Sequence, residues 1–255
     1  MNNYYKYIKN QKEKFLSFES DNKHWASGQK RFLDIFFFDI NRDSKILDIA
    51  CGDGVGLKEF KNMGFKNITG VEFNQKKIEN AKLFGYPIYK LDMHNLSNLK
   101  KIKFDIIYSS HTLEHSMYPE KVLSELSNHL KDKGYLVVVL PYPDIKHDSK
   151  DAHIARKNIG SNVYDDGKKI ISFFQKNDFR CIDKFYDTFR EPEIWLVFKK
   201  KINNTNTNYI NISQKINLNN FVKPFFLNYL YLEQYTFISL LKLNIKKMMN
   251  IFQRQ

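Results

Sequence analysis

The stretch KILDIACGDGVGL, Lys45–Leu57, constrains this chain more than any other. A short apolar run holds an acid, Asp48, near its end and is followed by glycines at every second position: Gly52, Gly54 and Gly56. Bare backbone directly after a buried strand suits a place where a ligand must come very close to the chain. A helix that begins there also turns its unbonded N–H groups toward electron-rich atoms of that ligand. Dinucleotide sites favour G-x-G-x-x-G, whereas this chain reads G-x-G-x-G behind a carboxylate. The expected ligand therefore wants an acid nearby and makes little demand for phosphate recognition.

Around this motif, strand-like and helix-like stretches alternate from residue 45 to about 200, the pattern of a parallel sheet covered by helices. Strands are predicted at Lys45–Ile49, Asn67–Val71, Ile88–Lys90, Phe104–Ser109, Tyr135–Leu140, Arg180–Phe185 and Ile194–Phe198. Helices are predicted at Leu57–Met63, Gln75–Phe84, Pro119–Leu130 and Asp166–Lys176, with Gly64, Gly85 and Gly134 as stop signals for the first three. Two more, Tyr4–Ser17 and Gly28–Phe38, lie within an N-terminal helical cap over residues 1–44. The last two strands are joined only by TFREPE, so they should pair antiparallel at one edge. The expected fold is α/β: a doubly wound, seven-stranded, mostly parallel Rossmann-like sheet over 45–200, with an antiparallel edge strand and a C-terminal helical appendage.

Beyond Lys200 the character changes. Eight asparagines fall among residues 201–220 without apolar periodicity, which reads as a linker. Residues 221–255 turn apolar and helical, with Asn228, Ser239, Lys242 and Lys246 on one stripe and Leu230, Phe237, Leu241 and Met248 on the opposite one. Polar residues interrupt every twenty-residue window, so a membrane span is not expected. A homodimer contact or peripheral attachment to a membrane surface suits this amphipathic tail.

The formal charge of +13 invites a polyanion partner, but seven cations against Glu233 give the tail +6 and leave +7 for residues 1–200. The richness in Lys, Asn, Ile, Phe and Tyr is what an AT-rich genome produces, which weakens that reading further. Two cysteines, Cys51 and Cys181, make neither a disulfide framework nor a metal-ligand spacing. The charged N-terminus does not read as a secretory signal, so a cytoplasmic setting is expected.

Two further acids stand where the ligand of the glycine turn would need them. Glu72 closes the second predicted strand in ITGVEF, from which a carboxylate can accept both hydroxyls of a ribose. Asp92 closes the third in YKLDMHNL. The series LDIACGDGVG, GVEF, LDM, FDIIYSSHTLEH and KGYLVVVLP resembles the class I S-adenosylmethionine-dependent methyltransferases over about residues 25–200, and in particular those that modify small molecules. The resemblance implies S-adenosyl-L-methionine as cofactor. Gly52, Gly54 and the backbone of Ala50 would lie against its methionine moiety, with Asp48 near the amino group and Glu72 on the ribose. Asp92 would accept from the adenine amino group, the Met93 backbone would address the ring, and Phe73 would pack on its face. Ser109 and Ser110 would line the methionine and the edge of the acceptor.

The acceptor is expected at the carboxyl ends of the fourth and fifth strands, under the N-terminal cap. Glu114 and His115 of HTLEH resemble the family's pair that supports the helix start and the methionine pocket, whereas His111 stands closer to the opening. The loop PYPDIKHDSKDAHIARKNIG is dense in Asp and His, and family members often place a histidine there over the transferable methyl group. His153 matches that place best, with His111 and His147 as the other candidates for the base that an alcohol acceptor requires. Asp144, His147, Asp148, Asp151 and His153 could instead hold a divalent cation, although their spacing matches no fixed metal motif. Lys146, Lys150, Arg156 and Lys157 would suit an anionic acceptor.

The expected activity is methylation of a small polar acceptor, foremost a hydroxyl of a sugar, nucleotide-linked sugar or surface-polysaccharide component. N-methylation, RNA modification and a catalytically silent cofactor-binding subunit are the alternatives. A nucleic-acid substrate is disfavoured by SSHT after the fourth strand, where base-amino methyltransferases carry an Asn/Asp-Pro-Pro-aromatic motif.

Overall fold

The computed structural model describes residues 29, 30, 32–34, 36–145, 152–187 and 192–201. The expected N-terminal helix Tyr4–Ser17, the linker, the tail and His147 lie outside the described residues. The described strands are β1 (Lys45–Ile49), β2 (Asn67–Glu72), β3 (Ile88–Lys90), β4 (Phe104–Ser110), β5 (Leu130–Pro141), β6 (Phe179–Asp187) and β7 (Glu193–Lys200). They form one sheet in the order β3-β2-β1-β4-β5-β7-β6. The chain winds outward in one direction from β1 and in the other from β4, so the order reverses between these two strands. The carboxyl ends of strands at such a reversal are where doubly wound sheets bind ligands.

Strands buried on both faces read as nearly continuous apolar runs. In β1 all residues but Lys45 are buried, and in β4 the run from Ile106 to Ser109 is buried throughout. Helices cover the sheet: α1 (Val55–Asn62), α2 (Gln75–Lys82), α3 (Pro119–His129), the single turn α4 (Arg156–Ile159) and α5 (Lys168–Lys176). α5 sets Ile170, Phe173 and Phe174 on one buried face, and the Phe174 ring stacks on Phe198 of β7 at 4.1 Å. α2 begins at Asn74, whose side chain accepts from Lys76 N, and α3 begins with Pro119, which needs no N–H there. Gly64 and Gly85 follow α1 and α2 at φ 83° and 86°, the left-handed conformation that stops a helix.

Gly134 departs from expectation. α3 ends at His129 and β5 begins at once with Leu130, so this glycine lies inside a strand. A Cβ on it would stand 2.8 Å from Leu130 Cδ1 and 2.9 Å from the carbonyl oxygen of Asp105, where the pairing of β4 with β5 shifts register. Close packing, and not helix termination, accounts for the residue. β6 and β7 pair antiparallel as the short connection requires, with β7 inserted between β5 and β6. The turn α4 and the 3₁₀ turns Ser97–Leu99 and Leu113–His115 were too short to leave a periodic signal.

Described residues 32–34 and 36–40 belong to a second compact unit. Residues 32–34 and 36 are helical, the Phe32 and Phe36 rings stack at 5.8 Å, and Phe36 meets Phe37 edge-on at 5.1 Å. No helix among the described residues is long and apolar enough to cross a membrane.

Candidate active site

The three glycines of the turn do different things. Gly52, at φ +56°, faces open space: a Cβ there would meet nothing within 4 Å. Gly54, at φ +86°, is the N-cap of α1, and a Cβ on it would lie 2.8 Å from the Phe84 ring and 2.9 Å from Ala81 Cα. It lets α2 pack against the turn. Gly56 makes room for the carboxylate of Asp48, whose Oδ2 would be 2.7 Å from an added Cβ. Ala50 also has a positive φ, 53°, so the backbone bends sharply as it leaves β1. The first turn of α1 carries no side-chain cap and no acid, which leaves its N–H groups for an outside acceptor.

Asp48 is 3% exposed, and its Oδ2 has no hydrogen-bond partner. Burial, reinforced by the nearby Glu72 charge, pushes its carboxyl well above the usual carboxylate range. Glu72, at the end of β2, reaches back over the turn: Oε2 accepts from Gly52 N at 3.0 Å, while Oε1 accepts from Phe73 N at 2.8 Å and Asn74 N at 2.9 Å. A carboxylate has about four lone-pair sites, so three donors leave capacity for a further one. Burial raises the Glu72 carboxyl even though these amides oppose it.

Beyond β3, Asp92 Oδ1 accepts from His94 N at 2.8 Å and lies 2.6 Å from His94 Nδ1. His94 Nε2 in turn lies 2.8 Å from Ser116 Oγ. A carboxylate on Nδ1 puts the ring proton there, so Nε2 accepts from the Ser116 hydroxyl. This chain, buried at His94 and Ser116, fixes the half-buried Asp92 carboxylate and ties the end of β3 to the segment before α3. Sequence reasoning missed His94, although its place two residues after Asp92 was a signal. Phe73 is half-buried, and Met93 packs on the main core.

Ser109 is fully buried in β4, and its Oγ has no hydrogen-bond partner. Ser110 is half-buried and ends the strand. The loop beyond is tied to the neighbouring strand by Thr112, whose hydroxyl bonds Ile49 O at 3.4 Å and Ser110 O at 3.0 Å. His111 has a φ of 49° and is clamped between two acids, with Nε2 at 2.8 Å from Glu193 Oε1 and Nδ1 at 3.6 Å from Glu114 Oε1. Burial opposes its charge, but the two carboxylates prevail and push its pKa up to about 10. An imidazolium near neutral pH has no lone pair to offer, so this environment favours His153 over His111 as the base.

The structure brings His153 to the same loop. Ala155 N donates to Glu114 O at 2.9 Å, and His115 Nδ1 faces Ala152 O at 3.3 Å. The His115 and His153 rings then meet edge-on with centroids 4.7 Å apart. His153 Nδ1 lies 2.9 Å from Oδ1 of Asp144, a residue 3% exposed. Asp144 is held by its own N–H on Ser161 O and by the Ser161 hydroxyl at 3.5 Å. Burial dominates at His115 and pulls its pKa down to about 4, so this ring is neutral. Glu114 is wholly buried; burial opposes its charge, but the His111 imidazolium beside it holds its carboxyl below the ordinary value. Arg156 is also buried and donates from Nε to His153 O at 2.8 Å. It braces the histidine loop, unlike Lys157, which is exposed.

The ends of β1, β2, β3, β4 and β5 thus carry, in order, the acids and histidines singled out in the sequence. The family described as Methyltransferase domain matches residues 18–184, more than half of the chain. The chain belongs to this family. It is a class I methyltransferase whose cofactor is S-adenosyl-L-methionine. The ubiquinone biosynthesis O-methyltransferase of Nitrosococcus oceani is 30% identical over 96 residues, 35% of this chain and 40% of that one. An uncharacterized protein of Haemophilus influenzae is 25% identical over 111 residues, 40% of this chain and 44% of that one. Each match thus spans less than half of the relative's length. Among solved structures, the 1,6-didemethyltoxoflavin-N1-methyltransferase of Burkholderia thailandensis has a TM-score of 0.58 at 13% identity, covering 78% of this chain and 90% of that one. At that identity the likeness is one of fold.

The methyltransferase has residues that fit this cofactor. The unpartnered Asp48 oxygen suits an ammonium, the open face of Gly52 and the uncapped α1 suit the methionine backbone, and Glu72 retains room for a ribose hydroxyl donor.

Proposed function

We propose that this methyltransferase methylates an oxygen of a small polar acceptor, a hydroxyl of a sugar or nucleotide-linked sugar being the first candidate, in surface-polysaccharide synthesis. The observation that carries the reading is the Asp144–His153 pair, brought against His115 beyond the ends of β4 and β5, at the same carboxyl-end edge of the sheet as the glycine turn after β1. The bound cofactor supplies a methyl group on a sulfonium sulfur, which keeps the bonding electron pair when the acceptor oxygen takes the carbon.

The protein's share is alignment and proton management. Asp144 accepts from His153 Nδ1–H and so fixes the tautomer with its lone pair on Nε2. At 29% side-chain exposure His153 is accessible to an acceptor, while its orienting acid is sealed beneath it. His153 is therefore the residue on which loss of the hydroxyl proton depends. The partial likeness to an O-methyltransferase supports oxygen as the atom methylated. Mass spectrometry of acceptors copurified with the full chain, followed by turnover with purified sugars and nucleotide sugars, tests the reading. A methylated amine as the product, with hydroxyl acceptors inert, would overturn it.

A further inference from the structure

The loops after β4 and β5 converge on a set of donors that the reading above does not exhaust. Glu114, His115 and His153 each offer one atom, and these three atoms lie within 4.8 Å of one another. Two ligands sharing one ion at about 2.1 Å stand no more than about 4.2 Å apart, and about 3.4 Å apart in a tetrahedral site, so the loops must close by up to roughly 1.4 Å as the ion enters. We propose that Glu114, His115 and His153 form a binding site for a divalent transition-metal ion, which receives the acceptor hydroxyl.

Two independent observations support the site. Glu114 is wholly buried, and neither carboxylate oxygen makes a hydrogen bond. A buried carboxylate whose two oxygens make no hydrogen bond keeps lone pairs open to a cation beyond the one ion-pair neighbour it has. His111 supplies charge at 3.6 Å, beyond hydrogen-bond length. The second observation is the set of groups behind each imidazole. His153 Nδ1 is held by the Asp144 carboxylate and His115 Nδ1 faces the Ala152 carbonyl, both of which can only accept. Each ring proton is thereby fixed on Nδ1 and each lone pair on Nε2. Imidazoles that ligate metals are oriented in this way by carboxylates and carbonyls behind them.

Two imidazoles and one carboxylate suit zinc, cobalt, manganese or ferrous iron better than calcium or magnesium. Three protein ligands also leave a position for an oxygen of the acceptor, as catalytic sites require. A hydroxyl held there ionises near neutral pH and releases its proton to solvent water. Its oxygen then takes the methyl group as the carbon–sulfur bond breaks and the electron pair stays on sulfur. The inference rests on the methyl-transfer reading and assigns His153 the part of ligand, with Asp144 as its positioning residue.

The test is a titration of the chelator-treated full chain with Co²⁺, read by visible absorption and by equilibrium dialysis. One ion per chain is expected, with a ligand-field band that Glu114→Gln and His153→Ala weaken along with affinity, each by on the order of 100-fold. Asp144→Asn should weaken binding by about 10- to 100-fold while the band keeps its shape. His153 is partly exposed, so His153→Ala carries the test if Glu114→Gln fails to fold. No bound Co²⁺ in the wild type, or equal binding in Glu114→Gln and His153→Ala, overturns the site. Calorimetry with S-adenosylhomocysteine on the metal-free wild type separates the two readings. Retained binding without any cobalt site overturns the metal inference alone, whereas no binding by folded protein overturns the methyl-transfer reading beneath it.

Discussion

The cofactor half of the site and the acceptor half are built differently. At the ends of β1, β2 and β3, each strand delivers its own acid, and the bonds that hold those acids are mostly local: Glu72 to Phe73 and Asn74, Asp92 to His94. Gly52 reaches Glu72 across one strand pair, and His94 links Asp92 to Ser116 before α3. At the ends of β4 and β5, the joining contacts run from Glu114 to Ala155, from His115 to Ala152 and from His111 to Glu193 of β7. One half is a repeated strand-end pattern, and the other exists only once distant loops meet. A cradle shared by a family belongs in the rigid repeat, and a particular substrate belongs in the loops.

This contrast predicts that variants in the two halves separate kinetically. His153→Ala should lower turnover by about 10²- to 10⁴-fold and leave S-adenosylhomocysteine affinity nearly unchanged, the usual share of a lost proton-handling group. Stopped-time methylation assays and calorimetry on the same preparation check both halves of the statement. A comparable loss of cofactor affinity would merge the halves into one unit.

The reverse signature is expected of Glu72. Glu72→Ala removes an acceptor of charged hydrogen bonds and should weaken cofactor binding by about 1.5–3 kcal/mol, with turnover at saturating cofactor little altered. Calorimetry measures the first and saturation kinetics the second. Unchanged affinity would mean that Glu72 serves only the three amides it holds in the structure.

How legible each half was in the sequence follows from the same distinction. Asp48, Glu72 and Asp92 could be read because the strand-to-helix rhythm places each acid at a strand end with no knowledge of tertiary contacts. Gly134 was misread because a glycine after a helix and a glycine inside a strand look alike until the Asp105 carbonyl is seen beside it. His153 could be proposed from its loop, but its partner Asp144 lies nine residues away across a stretch without periodicity. His111 looked like an open-facing base because nothing local reveals Glu193, 82 positions later. Glu114 and His115 were expected to support the helix start. Their meeting with His153 depends on the register in which Ala155 binds Glu114, which only the folded chain sets.

Two glycines sharpen the comparison within the cofactor half itself. Gly56→Ala puts a methyl group 2.7 Å from Asp48 Oδ2 and should destabilise the protein by about 1–3 kcal/mol. Gly52→Ala meets no atom, so its larger effect should fall on cofactor affinity, although φ +56° adds backbone strain of about 1 kcal/mol. Urea unfolding and calorimetry of both variants separate stability from binding. If Gly52→Ala binds cofactor like the wild type, the open space above that residue is not where the methionine moiety lies.

The smallest expected effect lies in the pH dependence of stability, where the acceptor half acts on both sides of neutrality. His111 is pushed up to about 10 from an ordinary 6.5, so the folded state binds its proton more tightly than the unfolded chain does. Its contribution is complete below pH 6.5 and is lost as pH rises through about 10. His115 is pulled down to about 4, so the unfolded chain binds that proton more tightly, and stability falls as pH drops from 6.5 toward 4. Glu114 acts in the same direction as His115, because its lowered pKa gives stability that is lost on acidification. The unfolding free energy should therefore peak near pH 6.5. His115→Asn, which cannot titrate, should flatten the acid limb, and His111→Gln should flatten the alkaline limb while lowering stability throughout, since Glu114 and Glu193 lose their cation. Asp48→Asn provides the contrast from the cofactor half: its raised carboxyl pKa makes the wild type lose stability as the group ionises with rising pH, and the amide removes that loss. Urea midpoints measured from pH 4 to 10 decide the matter, and parallel curves for wild type and His115→Asn below pH 6.5 would show that the ring is not held neutral.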